Sequence, residues 1–319
     1  MTLRLAAFAA LALTACQEPP PAPVPSEPDP APAEIALPED PHAGERPISW
    51  DQLLDRPREE ADAKIAYGEG EQQFGELWLP EGDGPFPTVM MVHGGCWLAE
   101  IPGTILMDYV AADLRDHGVA VWNIEYRRLG HEGGGFPGTF LDTAAAADAL
   151  RGIAEDYPLD LDRLVFAGHS AGGHLALWAA ARGGIGDDSP LRAEDPLIPD
   201  AVVTLAGIND LNAYREDGPG RCGEPGTVDE LVGGRYGDTS PAEMLPIGAE
   251  QVIVSGALDP IVPSPFGDGY GAAADGAGDP VTTEVMIGAG HFELIDPLSP
   301  AWADIRAIIL EELDPDEAH

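Results

Sequence analysis

The chain has 319 residues, 44% of them hydrophobic, which suits one large α/β domain or two small ones. It carries 56 acidic and 16 basic side chains, a formal net charge of −40, so its surface repels phosphate backbones and nucleic acid is not expected as a partner. The same charge serves solubility and disfavours anionic substrates unless a local basic patch intervenes. The 3 cysteines are too few for a disulfide scaffold or a thiolate metal cluster.

Residues 1–16 read as an export signal: Arg4 is the positive charge, and Leu5 to Leu13 is an apolar run too short to span a bilayer. The run ends Leu13-Thr14-Ala15-Cys16, which resembles a bacterial lipobox. That resemblance implies a lipid-modified Cys16, a membrane anchor and a location on the cell envelope, facing the periplasm or on the outer membrane. Residues 17–47, dominated by Pro, Ala and Glu, hold too few large apolar side chains to offset ordering entropy and are expected to be a disordered tether.

A folded domain is expected over residues 48–319. Trp50 to Glu60 predicts a short helix interrupted at Pro57, and Ala63 to Tyr67 with Phe74 to Leu79 predicts an antiparallel hairpin. Thr88 to Val92 and Val119 to Ile124 are strand-like apolar runs, with a helix predicted between them over Ile105 to Asp116. Asp142 can cap a helix from Thr143 to about Asp156, stopped by Pro158, and Arg127 or Arg128 can pair with it as a structural contact. Leu164 to Ala167 then leads into Gly168-His169-Ser170-Ala171-Gly172-Gly173, followed by an Ala- and Leu-rich helical run to Gly183-Gly184. Further strands are predicted at Ala201 to Leu205, Gln251 to Ser255 and Thr283 to Ile287, and a closing helix at Trp302 to Leu313. Strands alternating with helices imply a mostly parallel, twisted sheet of about eight strands with helices on both faces. Between Leu211 and Glu250 regularity fades, and residues 211–250 are expected to form a lid or cap, or else a passive surface loop.

Function collects at the carboxyl ends of strands in such sheets. The G-x-S-x-G at Ser170 fits a strand-to-helix elbow, where glycines two residues either side let strand and helix pass closely. The elbow lifts the Ser170 hydroxyl clear of the sheet and sets the Ala171 amide at a helix N-terminus, where developing negative charge is stabilised. Asp259 follows the strand ending near Ala257, His291 follows the last strand, and Gly94-Gly95 follows the strand at Val92. Asp296 and Asp268 are the acids that can stand in for Asp259. No metal-ligand motif is present, and no cofactor is expected.

On His93-Gly94-Gly95-Cys96-Trp97, Tyr126-Arg127, Gly168 to His174, Leu258 to Pro263 and Gly290-His291-Phe292, the stretch from about Phe74 to Leu313 resembles bacterial α/β-hydrolases of the esterase type, near the hormone-sensitive-lipase-like and arylformamidase-like branches. The resemblance implies an α/β-hydrolase fold with Ser170 as nucleophile, His291 as base, Asp259 as the acid orienting it, and amides of Ala171 and of Gly94 or Gly95 as the oxyanion hole. Where many relatives have a third glycine or an aromatic, this chain has Cys96. His93 is expected to brace the Gly-Gly loop, and His174 to be structural. Trp97, Phe136, His169, Phe266 and Phe292 are candidate pocket residues. Outside the cytoplasm Cys96 and Cys222 are either two free thiols or one bridge that would pin the 211–250 segment beside the oxyanion loop. The expected activity is cleavage of small carboxylic esters. Two readings stand beside it: amide hydrolysis by the same triad, and a non-catalytic envelope binding protein that kept the fold. Oligomeric state is not legible.

Overall fold

The computed structural model describes residues 41, 42, 44 and 46–314. The expected export signal, Cys16 and most of the expected tether lie outside the described residues. The chain divides into two units, Met1–Ala36 and Leu37–His319, and every described residue belongs to the second.

After a short helix α1 (Trp50–Leu54), capped by Ser49 and Gln52 in a reciprocal box, come strands β1 (Ala63–Ala66), β2 (Phe74–Trp78) and β3 (Phe86–Val92). Helix α2 (Asp108–Asp116) leads to β4 (Ala120–Ile124), and α3 (Gly138–Asp156) leads to β5 (Leu159–His169). Helix α4 (Ala171–Ala181) starts one residue past Ser170 and returns to β6 (Ala201–Leu205). Three short helices follow, α5 (Leu211–Asp217), α6 (Gly226–Val232) and α7 (Tyr236–Thr239), before β7 (Glu250–Gly256). Helix α8 (Ser264–Ala277), β8 (Val281–Met286) and α9 (Pro300–Leu313) close the chain.

The strands form one eight-stranded sheet in the order β1-β2-β4-β3-β5-β6-β7-β8. Pairing is antiparallel at β1–β2 and β2–β4 and parallel everywhere else. Residues Val89–Val92, Ala120–Ile124 and Ala201–Leu205 are buried on both sides, as unbroken apolar runs in a helix-covered parallel sheet should be. β4 lies on one side of β3 and β5 on the other, so the winding direction reverses there, and the crevice at the carboxyl ends of β3 and β5 is where an open α/β sheet admits ligands.

Several sequence expectations are corrected. Asp142 is not a cap: α3 begins at Gly138, and Asp142 is buried within it, taking Arg127 Nη2 and Gln73 Nε2 at 2.7 Å each. An ion pair between the loop after β4 and α3, joined by a hydrogen bond from Gln73 just before β2, outranks the local capping signal. The helix predicted over Ile105 to Asp116 splits into a 3₁₀ turn, Thr104–Leu106, and α2. Helix α8 has no counterpart in the sequence reading, because glycines at 267, 269, 271 and 276 argue against a helix. Two of them have a packing reason: a Cβ on Gly271 would lie 2.3 Å from Thr283 Cγ2, and one on Gly267 would lie 2.5 Å from Ser255 Oγ, so α8 gains closer approach to β7 and β8 than a larger residue allows. The 211–250 segment is not irregular, since Val228, Leu231 and Val232 of α6 are buried in the core.

Helix α4 is buried along its whole length. Its His174 is structural: Trp97 Nε1–H donates to Nδ1 at 3.1 Å, so Nε2 carries the ring hydrogen and donates to the Thr239 carbonyl at 2.7 Å. Burial pulls its pKa down to about 4. The unfolded chain, with an ordinary histidine near 6.5, therefore binds more protons between those values, and stability falls as pH drops from about 6.5 towards 4. Urea titrations across that range should show the midpoint falling with pH in the parent protein. The slope should be shallower in His174→Gln, which is less stable at neutral pH but no longer gains that proton on unfolding. An unchanged slope would mean that His174 is not held neutral by the fold.

Candidate active site

Ser170 sits between β5 and α4 with φ 56° and ψ −122°, a backbone region that costs a non-glycine residue roughly 1–3 kcal/mol. The surrounding residues force the turn. A Cβ on Gly168 would meet the Gly172 carbonyl at 2.2 Å, and one on Gly172 would meet the carbonyls of Val92 and His93 at 2.1 and 2.4 Å. Glycine at both places is therefore a packing requirement: α4 crosses directly against the end of β3. The Ser170 amide donates to the Leu205 carbonyl at 2.8 Å, locking the elbow onto β6.

His291 stands in the loop after β8, and its Nδ1–H donates to Asp259 Oδ2 at 2.6 Å. Both residues are buried. The other carboxylate oxygen of Asp259 accepts from the amides of Ile261 and Val262 at 2.7 and 2.9 Å, so the acid is clamped on both sides. Of the stand-in acids, Asp296 is ion-paired to Arg56 at 2.8 Å and Asp268 is exposed on α8. Glu293, which belongs to no motif, fixes the histidine loop: its two oxygens accept from Gly290 N at 3.0 Å and Ile48 N at 2.7 Å.

His169 stacks obliquely on His291, ring centroids 4.4 Å apart, and its Nε2–H donates to the His291 carbonyl at 3.0 Å. Burial first, and then the neighbouring His291, holds its pKa well below the ordinary histidine value, so it is a neutral prop under the second imidazole.

The loop after β3 has three successive residues at positive φ: Gly95 at 106°, Cys96 at 52° and Trp97 at 57°. It is held from several sides. His93 bonds the Gly94 carbonyl at 2.7 Å and Glu125 at 3.0 Å, the bracing role its position suggested. Burial pushes the Glu125 carboxyl up, but His93, Arg128 and the Tyr126 amide outweigh it and hold the group at about 2. Cys96 is joined to Cys222, with Cα atoms 5.2 Å apart, which ties the loop to the segment between α5 and α6. Gly94 packs beneath the elbow, where a Cβ would lie 2.9 Å from the His169 carbonyl and 3.1 Å from Ser170 Cβ. Among the described residues, the amides of Gly95, Cys96 and Ala171 have no protein acceptor.

These parts meet in one cavity of about 150 Å³. Ser170, His291 and His169 line it together with Gly95 and Cys96 of the loop. Ile101, Leu106, Ile261 and Phe292 make it apolar, and Trp50 and Arg221 complete it. Of the five candidate pocket residues, His169 and Phe292 are there and three are not. Trp97 is fully buried against His174, Phe136 packs on Phe140 at 6.4 Å, and Phe266 packs on Tyr214 at 5.4 Å. Aromatic side chains next to catalytic motifs are as readily core as pocket, and only the loops decide. Trp50, Ile101, Leu106 and Arg221 carried no sequence signal, because they lie outside the motifs. A larger depression of about 510 Å³, lined by His117, Arg163 and Asp314 among others, opens at the amino ends of the strands and contains none of these groups.

Sheet order, elbow and strand-end loops together define an α/β-hydrolase fold. Within that class the chain belongs to the BD-FAE family, which it matches over residues 76–264. Among solved structures it is similar to a truncated carbohydrate esterase from gut microbiota, at 22% identity and TM-score 0.66 over 80% of this chain and 97% of that one. It is also similar to esterase B from Lactobacillus rhamnosis, at 20% identity and TM-score 0.68 over 79% and 84% of the two chains. A third similar structure is the butyrate-bound esterase Est2 of Thermogutta terrifontis, at 17% identity and TM-score 0.65 over 80% and 94%. No curated protein matches the chain in sequence.

Proposed function

We propose that this protein is a serine carboxylesterase acting on small carboxylic esters through an acyl-enzyme. The observation that carries the reading is that His291, held by the clamped Asp259 behind it, lines the same cavity as Ser170 on its elbow. Membership of the BD-FAE family and the similarity to a carbohydrate esterase and two further esterases support it.

The chemistry follows from the atoms present. With Nδ1–H committed to Asp259, His291 Nε2 is left with its lone pair and takes the Ser170 proton as Oγ attacks the ester carbonyl. The Ala171 amide and those of Gly95 and Cys96 receive the oxyanion, each donor worth roughly 3–4 kcal/mol in comparable sites. The sequence reading offers Gly94 or Gly95 as the second donor, and the lining of the cavity by Gly95 and Cys96 supports the amides of these two residues. His291 returns its proton to the departing alkoxide, and water then attacks the acyl-enzyme with His291 again as base, releasing the acid. A cavity of about 150 Å³ suits short acyl chains. Labelling with a fluorophosphonate probe tests the assignment: the modified peptide should carry Ser170, and labelling at any other serine alone would remove its basis.

The lipobox-like Leu13-Thr14-Ala15-Cys16 supports a further part of this reading, that Cys16 anchors the enzyme to the cell envelope through the Pro-rich tether. Cells expressing the full chain should incorporate labelled palmitate into it, and Cys16→Ser should abolish the incorporation. Equal labelling of both would exclude the anchor.

A further inference from the structure

We propose that Arg221 selects esters that bear a carboxylate group, an inference that rests on the esterase reading and adds its substrate class. The evidence is a charge that the fold leaves free. The chain has 56 acidic side chains against 16 basic ones, so an unpaired cation is the unusual case. Among the described residues every other arginine is ion-paired to an aspartate or glutamate. Lys64 lies 3.4 Å over the Phe74 ring. Arg221 alone among these cations has neither an acid nor an aromatic partner, and it is the one that lines the cavity with Ser170 and His291.

Its freedom is built in. The acid nearest in sequence, Glu224, is committed elsewhere: Oε1 accepts from the Gly220 amide at 2.8 Å and Oε2 from the Cys222 amide at 3.0 Å, the residues on either side of Arg221. One carboxylate thus shapes the turn that presents the guanidinium instead of neutralising it. The next residue, Cys222, is buried and bonded to Cys96, whose loop supplies the amides proposed for the oxyanion. The backbone that carries the exposed Arg221 side chain is therefore tied to the oxyanion loop through one covalent link.

A planar guanidinium matches a carboxylate with two parallel N–H···O bonds. A single cation in a strongly acidic protein fits a monoanion better than a phosphate dianion, whose second charge finds no partner in the cavity. The general acidity does not forbid this. At physiological ionic strength surface charges are screened over about 8 Å, whereas a contact pair is not. The local basic exception that the composition left open is this one side chain.

Two matched pairs of neutral and charged esters test the proposal, one for each side of the scissile bond. On the acyl side, ethyl hydrogen glutarate is compared with ethyl 5-methylhexanoate; on the alcohol side, 4-acetoxybutanoate is compared with 4-methylpentyl acetate. In each pair an isopropyl group replaces the carboxylate. The parent protein should favour the charged member of at least one pair in kcat/KM. Arg221→Gln should reduce that preference by about tenfold or more, mainly through KM, as expected for losing hydrogen bonds to a charged group. Arg221→Lys should keep part of the preference and Arg221→Glu should invert it. No preference in the parent, or a preference that Arg221→Gln leaves intact, overturns the proposal. A binding measurement separates this failure from a failure of the esterase reading. The ketone isosteres of the two charged esters, 5-oxooctanoate for the acyl side and 6-oxoheptanoate for the alcohol side, are titrated into the Ser170→Ala protein, and at least one should bind about tenfold more weakly once Arg221→Gln is added. That result supports the site even if no ester turns over, and unchanged binding of both overturns it.

Discussion

Replacing Ser170 with alanine should lower turnover of short p-nitrophenyl esters by about five to six orders of magnitude, because the nucleophile and its base act as a unit. The fold should be untouched. Alanine keeps the Cβ, so the elbow at φ 56° and ψ −122° retains its strain, and the Ser170 amide keeps its bond to Leu205. Ser170→Gly supplies the contrast. It is equally inactive, but glycine enters this backbone region without strain, so the variant should melt above Ser170→Ala by about 2–4 °C for each kcal/mol relieved. Undiminished ester turnover in Ser170→Ala would refute the assignment of the nucleophile, and with it the mechanism.

The residues that the sequence made legible are those whose signal is local. The runs Val89–Val92 and Ala201–Leu205 had to be interior strands, since nothing but helices on both faces can bury them. The glycines around Ser170 had to mark a close crossing, and the contacts a Cβ would make there give the reason. What sequence could not show depends on distant partners. Helix α8 exists because its glycines approach β7 and β8, a benefit that a propensity argument counts as a cost. Asp142 reads from sequence both as a cap and as a partner for Arg127 or Arg128, and only the fold shows that Arg127 and Gln73 converge on it while the helix starts earlier. Trp97 looked like a pocket residue beside the Gly-Gly loop, whereas its indole N–H is spent on His174 in the core. Arg221 belongs to no motif, and its interest lies in what it does not touch, which only coordinates can reveal.

Asp259→Asn should reduce kcat by about 10⁴ while leaving the fold intact, and the structure explains why the asparagine cannot adapt. In the parent, Asp259 Oδ1 accepts two backbone amides, Ile261 N at 2.7 Å and Val262 N at 2.9 Å, while Oδ2 accepts His291 Nδ1–H at 2.6 Å. An asparagine has one oxygen and one NH₂ group. Placing the NH₂ towards Ile261 and Val262 would set donor against donor and leave two amides without an acceptor, each a cost of about 1–3 kcal/mol. The oxygen must stay with the amides, so the NH₂ faces His291. Nδ1 then has to accept, the ring hydrogen moves to Nε2, and the nitrogen proposed to take the Ser170 proton no longer has a lone pair for it. The ring nitrogen chemical shifts report this directly: Nε2 should carry the hydrogen in Asp259→Asn and Nδ1 in the parent. Asp259→Ala removes the inverted donor along with the carboxylate and leaves the tautomer unforced, so it should be less impaired than Asp259→Asn. If Asn and Ala prove equally impaired and the tautomer does not change, Asp259 acts only through its charge and the two amides do not dictate which way the side chain faces.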